Sequence, residues 1–258
     1  MLELQRGDAL PRVVLLQRLL NRNNGAGLTV DGRLGGLTLA AAENYKTTLQ
    51  ASTDPPGLFG TRAWSNLARN ADFCIVDVID IGDPGVMMPI ANAMKSAGGD
   101  PILLGQMCAG VDQMVAEILR RSADKPIGLL RIIGHGNLGR WFTVSVGDVV
   151  DASAEDQAMM ARETHSYIAW SNYRDLLPLL DQLTPRFAPF GSMEHGGCSL
   201  GSKPQTQQMM QALATTWRVP VSAGRGIQRS VFHFDGPTFS TFPRHGTLRS
   251  WTQGLPPS

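Results

Sequence analysis

The hydrophobic and polar positions divide the chain into two kinds of pattern. In "LPRVVLLQRLLNRNN", Val13, Leu16, Leu19 and Leu20 recur at helical spacing, and Asn23, Asn24 and Gly25 supply a stop, which predicts an amphipathic helix. A tight turn at Asp31-Gly32 and a second glycine, Gly35, then lead to Thr38 and an alanine-rich helix bearing Leu39, Ala42 and Tyr45. "PPGLFGTRAWSNL" repeats the plan, with Gly57 and Gly60 before Thr61 and a helix carrying Trp64 and Leu67. Two glycine turns that feed helices onto one shared core predict a small helical module over residues 1–70.

From residue 71 the pattern changes. "DFCIVDVIDIG" is a nearly continuous run of apolar, often β-branched residues and reads as a buried strand. A helix "GVMMPIANAMKSAGG" follows, closed by Gly98-Gly99, then a short apolar piece "PILLG", a strongly periodic helix "GVDQMVAEILRRSAD" and a second buried strand "PIGLLRIIGHG". Further on, "YRDLLPLLDQLTPRF" and "QTQQMMQALATTW" read as helices, and "FAPFGSME" and "RVPVSAG" as strands. Strands alternating with helices predict a parallel sheet covered on both faces, over residues 71–258. The polar stretch 149–164 reads as an insertion or mobile loop, and the turn-rich tail from Val231 as a surface wrap.

Composition narrows the function classes. With 258 residues, 43% of them hydrophobic, the chain can bury one large core or two smaller ones. A net charge of +1 gives no bulk reason for a nucleic-acid or anionic-membrane partner. Cys74, Cys108 and Cys198 are an odd number without C-x-x-C spacing, which argues against a disulfide framework and a structural zinc site. The five histidines lack paired ligand spacing, which argues against a catalytic zinc, and no cofactor is expected. The N-terminus has no basic start leading into an unbroken apolar run, and no stretch reaches the length of a membrane span. The expectation is synthesis in a cytoplasm without a signal peptide and without membrane insertion.

Candidate chemistry lies at two strand ends. In a parallel sheet the loops at the carboxyl edge converge on a crevice. "IIGHGNLG" puts His135 and Gly136 directly after one strand, and "FGSMEHGGCSLG" puts Cys198 after another. On adjacent strands the imidazole would withdraw the thiol proton, while the backbone N–H groups of Gly136 and Cys198 would stabilise an oxyanion. The plainer alternatives are Cys198 as an apolar filler and His135 as a loop anchor. His195 is a rival base or substrate contact, and Arg225 in "SAGRG" is placed to meet an acidic substrate group. Asp77 and Asp80 are candidates to support His135. Cys108, in "GQMCAGVDQM" at a helix start, is a rival nucleophile because a helix dipole lowers a thiol pKa. Cys74 is expected in the core, and His165 and His233 at the surface.

Two resemblances sharpen this picture. "LQRG" at Leu4–Gly7, "LLQRLLN" at Leu15–Asn21, "VDGRLGGLT" at Val30–Thr38 and "GLFGTRAW" at Gly57–Trp64 resemble the three-helix peptidoglycan-binding domain of bacterial and phage cell-wall enzymes. That implies a hold on peptidoglycan and no catalytic group. Pro55-Pro56 stand before Gly57 where the family has an Asp-Gly pair. "LLRIIGHGNLG" and "FGSMEHGGCSLG", followed by a helix and "VPVSAG", resemble the caspase-like cysteine peptidases, a group including caspases, gingipains, separases and CHAT domains, and in particular a caspase-like domain at the head of large bacterial surface adhesins.

The second resemblance implies His135 as base, Cys198 as nucleophile and the Gly136 N–H as oxyanion donor. "EHGGC" departs from the glutamine and alanine that caspases carry before the cysteine. The expected fold class is therefore α/β, a small all-α three-helix module followed by a caspase-like α/β/α domain with a mainly parallel sheet. The expected function is a wall-targeted cysteine hydrolase acting on an amide bond, in a protein or in the peptide stem of peptidoglycan. Such a phage lysin or injected effector would act at the wall or in the periplasm after non-classical export or lysis. The alternatives are an inactive caspase-like protein that anchors a partner to the wall, and a papain-like peptidase using Cys108.

Overall fold

The computed structural model describes residues 4–5, 7–48, 58–59, 61–69, 71–96, 98–105, 110–136, 141–143, 165, 167–228 and 234–257. Three helices open the chain: α1 (Pro11–Asn24), α2 (Gly36–Thr48) and α3 (Thr61–Arg69). A two-residue ladder pairs β1 (Leu4–Gln5) antiparallel with β2 (Leu58–Phe59). Proline at the start of α1 costs no hydrogen bond, and Gly25, at φ 58°, closes the helix by donating its N–H to the Asn21 carbonyl at 2.9 Å. The first glycine turn is held by a buried side chain. Gln17 accepts the Asp31 and Gly32 N–H groups on Oε1 at 3.1 and 2.9 Å, and its Nε2 donates to Asp31 Oδ1 at 2.8 Å.

The rest of the chain is mixed α/β. In order come β3 (Cys74–Asp80), α4 (Pro84–Ser96), β4 (Ile102–Leu104), α5 (Gly110–Arg121), β5 (Ile127–Ile133), β6 (Trp141–Thr143), β7 (Tyr167–Ala169) and α6 (Tyr173–Asp181). Then follow β8 (Phe187–His195), α7 (Pro204–Trp217), β9 (Val221–Gly224), β10 (Thr238–Thr241) and α8 (Leu248–Gln253). Six strands form one sheet in the order β10-β9-β8-β5-β3-β4. All its pairings are parallel except β10 with β9. The short piece "PILLG" is thus a true strand, and the tail is more than a surface wrap, because it supplies β10 and α8. The sequence 149–164 lies outside the described residues.

The alternation along each strand sorts side chains to two faces. On one face Val76, Val78, Leu130 and Ile132 pack against Val115 and Ile118 of α5, Leu176 and Leu180 of α6, and Leu213 and Trp217 of α7. Trp217 is fully buried and donates its indole N–H to the Leu180 carbonyl at 2.8 Å. On the other face α4 covers Ile79 and Ile133 with Met87, Ala91 and Met94. The rest of that face is covered by the helical module. Leu16, Leu20, Trp64 and Leu67 share one core with Phe73 and Leu129, with Ile75 and Phe190 at its margin. The hydrophobic core of the module therefore continues past residue 70 into the sheet. An uncovered sheet face is unstable in water, and the three helices supply the missing layer. Among the described residues no helix is long and apolar enough to cross a membrane.

Candidate active site

From β3 the chain crosses to β4 at one edge, then returns past β3 to β5 and continues outward through β8 and β9. The direction of progression reverses between β3 and β5, and at such a switch point the carboxyl ends of the strands leave a crevice. Asp83 follows β3, His135 follows β5 and Cys198 follows β8, so all three candidates stand at one edge on three consecutive strands of the sheet.

Asp83 joins two structures. Its Oδ1 accepts the Val86 N–H at 3.3 Å in the first turn of α4, and its Oδ2 lies 3.3 Å from His135 Nε2. Asp77 and Asp80, the residues expected to support His135, are engaged elsewhere. Asp80 instead turns inward and accepts the Gly82 N–H at 2.9 Å, and Asp77 is tied to Arg131. The signal for Asp83 was present as an N-cap residue, "DPG", directly after a strand. The His135 and Asp83 side chains are both about one-third exposed, which leaves the imidazole reachable from the crevice.

The Cys198 turn is fastened from several sides. Gly196 donates its N–H to the Ile132 carbonyl at 2.9 Å, Ser199 to Gly226 at 2.8 Å and Gly201 to Gly224 at 2.9 Å. Ser199 holds a left-handed backbone, φ 59°, which costs a non-glycine residue on the order of 1 kcal/mol and marks a turn imposed by its surroundings. The loops of His135 and Cys198 touch through their backbones. A Cβ on Gly136 would lie 2.2 Å from the Cys198 carbonyl oxygen and 2.7 Å from its nitrogen, so only glycine fits. Among the described residues the N–H groups of Gly136 and Cys198 make no hydrogen bond, which leaves both for an incoming oxygen. The thiol is half-buried, accepts the Gln228 N–H at 3.3 Å and lies 3.8 Å from the Gln228 carbonyl. Its hydrogen bonds thus go to Gln228, on the loop after β9, and not to His135.

His195 occupies a different position from the one a base or substrate contact needs. It is fully buried, and its Nδ1 accepts the Gly197 N–H at 2.9 Å, so it shapes the turn that carries Cys198. Burial lowers its pKa to about 3. The unfolded chain, with histidine near 6.5, takes the proton first, so this residue contributes stability above pH 6.5 that is lost as pH falls toward 3. A denaturant series from pH 7.5 to pH 4.5 should show a slope approaching about 1.4 kcal/mol per pH unit that His195→Asn removes. Equal slopes in both proteins would refute the neutral, buried assignment.

Arg225 is exposed, with its guanidinium 5.5 Å from the centre of the Phe239 ring, beside the Cys198 loop where Ser199 meets Gly226. Cys74 lies half-buried against the core, where burial raises its pKa, and its thiol donates to the Lys125 carbonyl at 3.4 Å. Cys108 and His233 lie outside the described residues. His165 has its Nδ1 2.5 Å from Asp112 at the start of α5. Among the described residues no group of three or more His, Cys, Asp or Glu is arranged to hold a metal ion.

Beneath the site lies a row of buried charged residues. Asp77, Arg131 and Glu194 are register neighbours on β3, β5 and β8, and all three are buried on the face that the helical module covers. Arg131 grips Asp77 with two bonds, Nε to Oδ1 at 2.6 Å and an Nη to Oδ2 at 2.7 Å. Arg12 of α1 reaches down to Glu194, Nη to Oε2 at 3.3 Å, with both side chains buried. Burial opposes the charge on Asp77, yet the Arg131 guanidinium outweighs it and holds the carboxyl below its usual range. At Glu194 burial prevails over Arg12 and Arg131, and the carboxyl is pushed up. The chain matches no protein-family model, no curated protein and no solved structure.

Proposed function

We propose that the protein is a cysteine hydrolase of amide bonds in which Cys198 is the nucleophile, His135 the base and Asp83 the group that orients the imidazole. The observation that carries this reading is the backbone contact of Gly136 with Cys198 at the carboxyl edge of adjacent parallel strands, where among the described residues neither N–H group makes a hydrogen bond. In the reaction the thiol proton passes to His135 and the thiolate attacks the carbonyl carbon. The oxygen takes the developing charge toward the Gly136 and Cys198 N–H groups. The C–N bond breaks as His135 returns the proton to the leaving amine, and water then hydrolyses the thioester with His135 again as base. The helical module, through its resemblance to peptidoglycan-binding domains, would bring this chemistry to the cell wall, where a protein or a stem peptide is the substrate.

Gln228 supports a second reading. A thiol that already receives one backbone N–H and lies close to the Gln228 carbonyl is suited to a binding protein that anchors a partner to the wall without cleaving it. Iodoacetamide labelling of the native protein at about pH 6, mapped by peptide mass spectrometry, separates the two. For the hydrolase, Cys198 should react several-fold faster than a free thiol and slow in both His135→Ala and Asp83→Asn, because a paired thiolate persists at that pH. A Cys198 that stays unlabelled, or ignores both substitutions, would leave the anchoring protein as the better account.

A further inference from the structure

We infer that Arg12 is a positioning residue for the Cys198 turn, acting through Glu194, so that the helical module is a working part of the site. This rests on the role proposed for Cys198 but is argued from the packing. Arg12 lies in the first turn of α1 and is buried, with its guanidinium 5.3 Å from the centre of the Phe234 ring and an Nη 3.3 Å from Glu194 Oε2. Glu194 is the penultimate residue of β8. Directly after it come His195, which holds the Gly197 N–H, then Gly196, Gly197 and Cys198. Pulled from one face by Arg12, β8 presents His195 to the opposite face, and the alternation of the strand converts the position of Glu194 into the orientation of the turn.

The remaining contacts are consistent with a fixed lever. Glu194 is the register neighbour of Arg131 on β5 and of Ser222 on β9, and the Ser222 hydroxyl lies 2.7 Å from that of Ser240 on β10. The row running from Asp77 to Ser240 therefore crosses five strands, and Arg12 is its connection to the module. A module serving only as a tether would need a flexible linker and an apolar or wet interface, whereas a desolvated ion pair specifies one geometry and tolerates no sliding.

The test compares backbone hydrogen exchange and Cys198 alkylation in the full-length protein and three variants, Arg12→Met, Arg12→Lys and the double variant Arg12→Met with Glu194→Gln. In Arg12→Met, exchange at the bonded amides of Gly196, Gly197, Ser199 and Gly201 should rise by about tenfold or more, while α6 and α7 on the opposite face stay protected. Arg12→Lys should return most of that protection, and the pH dependence of Cys198 alkylation should move in Arg12→Met and not in Arg12→Lys. Should Arg12→Met fail to fold, the double variant carries the same expectation without leaving a buried unpaired charge. Wild-type exchange across 196–201 in the variants, with loosening confined to α1–α3, would overturn the inference. A wild-type Cys198 that alkylates as an ordinary thiol while the exchange result holds would sink the hydrolase reading alone and leave Arg12 as the positioner of the turn.

Discussion

Gly136→Ala should abolish the fast reaction of Cys198 and lower the stability of the whole α/β unit. The new methyl group would sit 2.2 Å from the Cys198 carbonyl oxygen, 2.7 Å from its nitrogen and 3.0 Å from its carbonyl carbon. All three are backbone atoms of a turn fastened to Ile132, Gly226 and Gly224, so no side-chain rotation relieves the clash. Forcing a methyl group into a close-packed site costs about 1–3 kcal/mol even where side chains can shift, and the upper part of that range is expected here. Thermal denaturation should report a midpoint several degrees lower, and iodoacetamide labelling should fall to the rate of a free thiol or below. Gly226→Ala is the matched control. It lies on the loop that Ser199 bonds, but its Cβ would meet nothing within 4 Å, so stability should stay close to wild type. Wild-type labelling in Gly136→Ala would mean that the two loops do not meet.

Arg131→Met should be the most destabilising change in the core of the sheet. Arg131 gives Asp77 two hydrogen bonds and lies beside Glu194 in the register, and all three are buried. Removing one partner of a buried pair leaves an uncompensated charge, at a cost of about 3–5 kcal/mol. The defect should be partly repaired by Asp77→Asn in the same chain, which removes the stranded charge and keeps the shape. Acid should also lessen it, because protonation of Asp77 relieves the variant and not the wild type. In the wild type Asp77 is held below its unfolded value, so its contribution is present above the unfolded pKa and is lost as pH falls. Denaturant titrations of the single and double variants at pH 7 and pH 5 test this. A single variant within about 1 kcal/mol of wild type would show that the ion pair is not desolvated as the burial indicates.

The central strands and the helices between them were legible because their signals are local. "DFCIVDVIDIG" and "PIGLLRIIGHG" are apolar on both faces, as parallel strands between two layers must be, and Pro11 and Gly25 bracket α1. The two strand ends carrying His135 and Cys198 could be read for the same reason. What escaped the reading depends on partners distant in the chain. Asp83 looks like an ordinary helix cap until the return of β5 beside β3 brings His135 to it. Gln228 gave no local signal, since its main-chain atoms, not its side chain, meet the thiol. His195 looked like a base because sequence shows its neighbourhood to Cys198 but not the face of β8 on which it lies. The charges of the three central strands were a missed clue. Charged residues within the apolar runs, Asp77, Arg131 and Glu194, imply a paired row across neighbouring strands.

The tail returns to the beginning of the chain. Arg18 of α1 donates to the Pro256 and Pro257 carbonyls at 2.8 and 3.0 Å, and the site of a Cβ on Gly32 lies 2.8 Å from Leu248 of α8. Beyond the core it shares with the sheet and the Arg12–Glu194 pair, the helical module is held by the peptide chain that leads from α3 into β3 and by a clasp formed from the last residues of the α/β unit. A segment tied at both ends experiences its docking surface at a high effective concentration, so detachment at one end is followed by recapture before the other lets go. Proteolytic cutting between α3 and β3 should therefore yield two fragments that migrate as one particle.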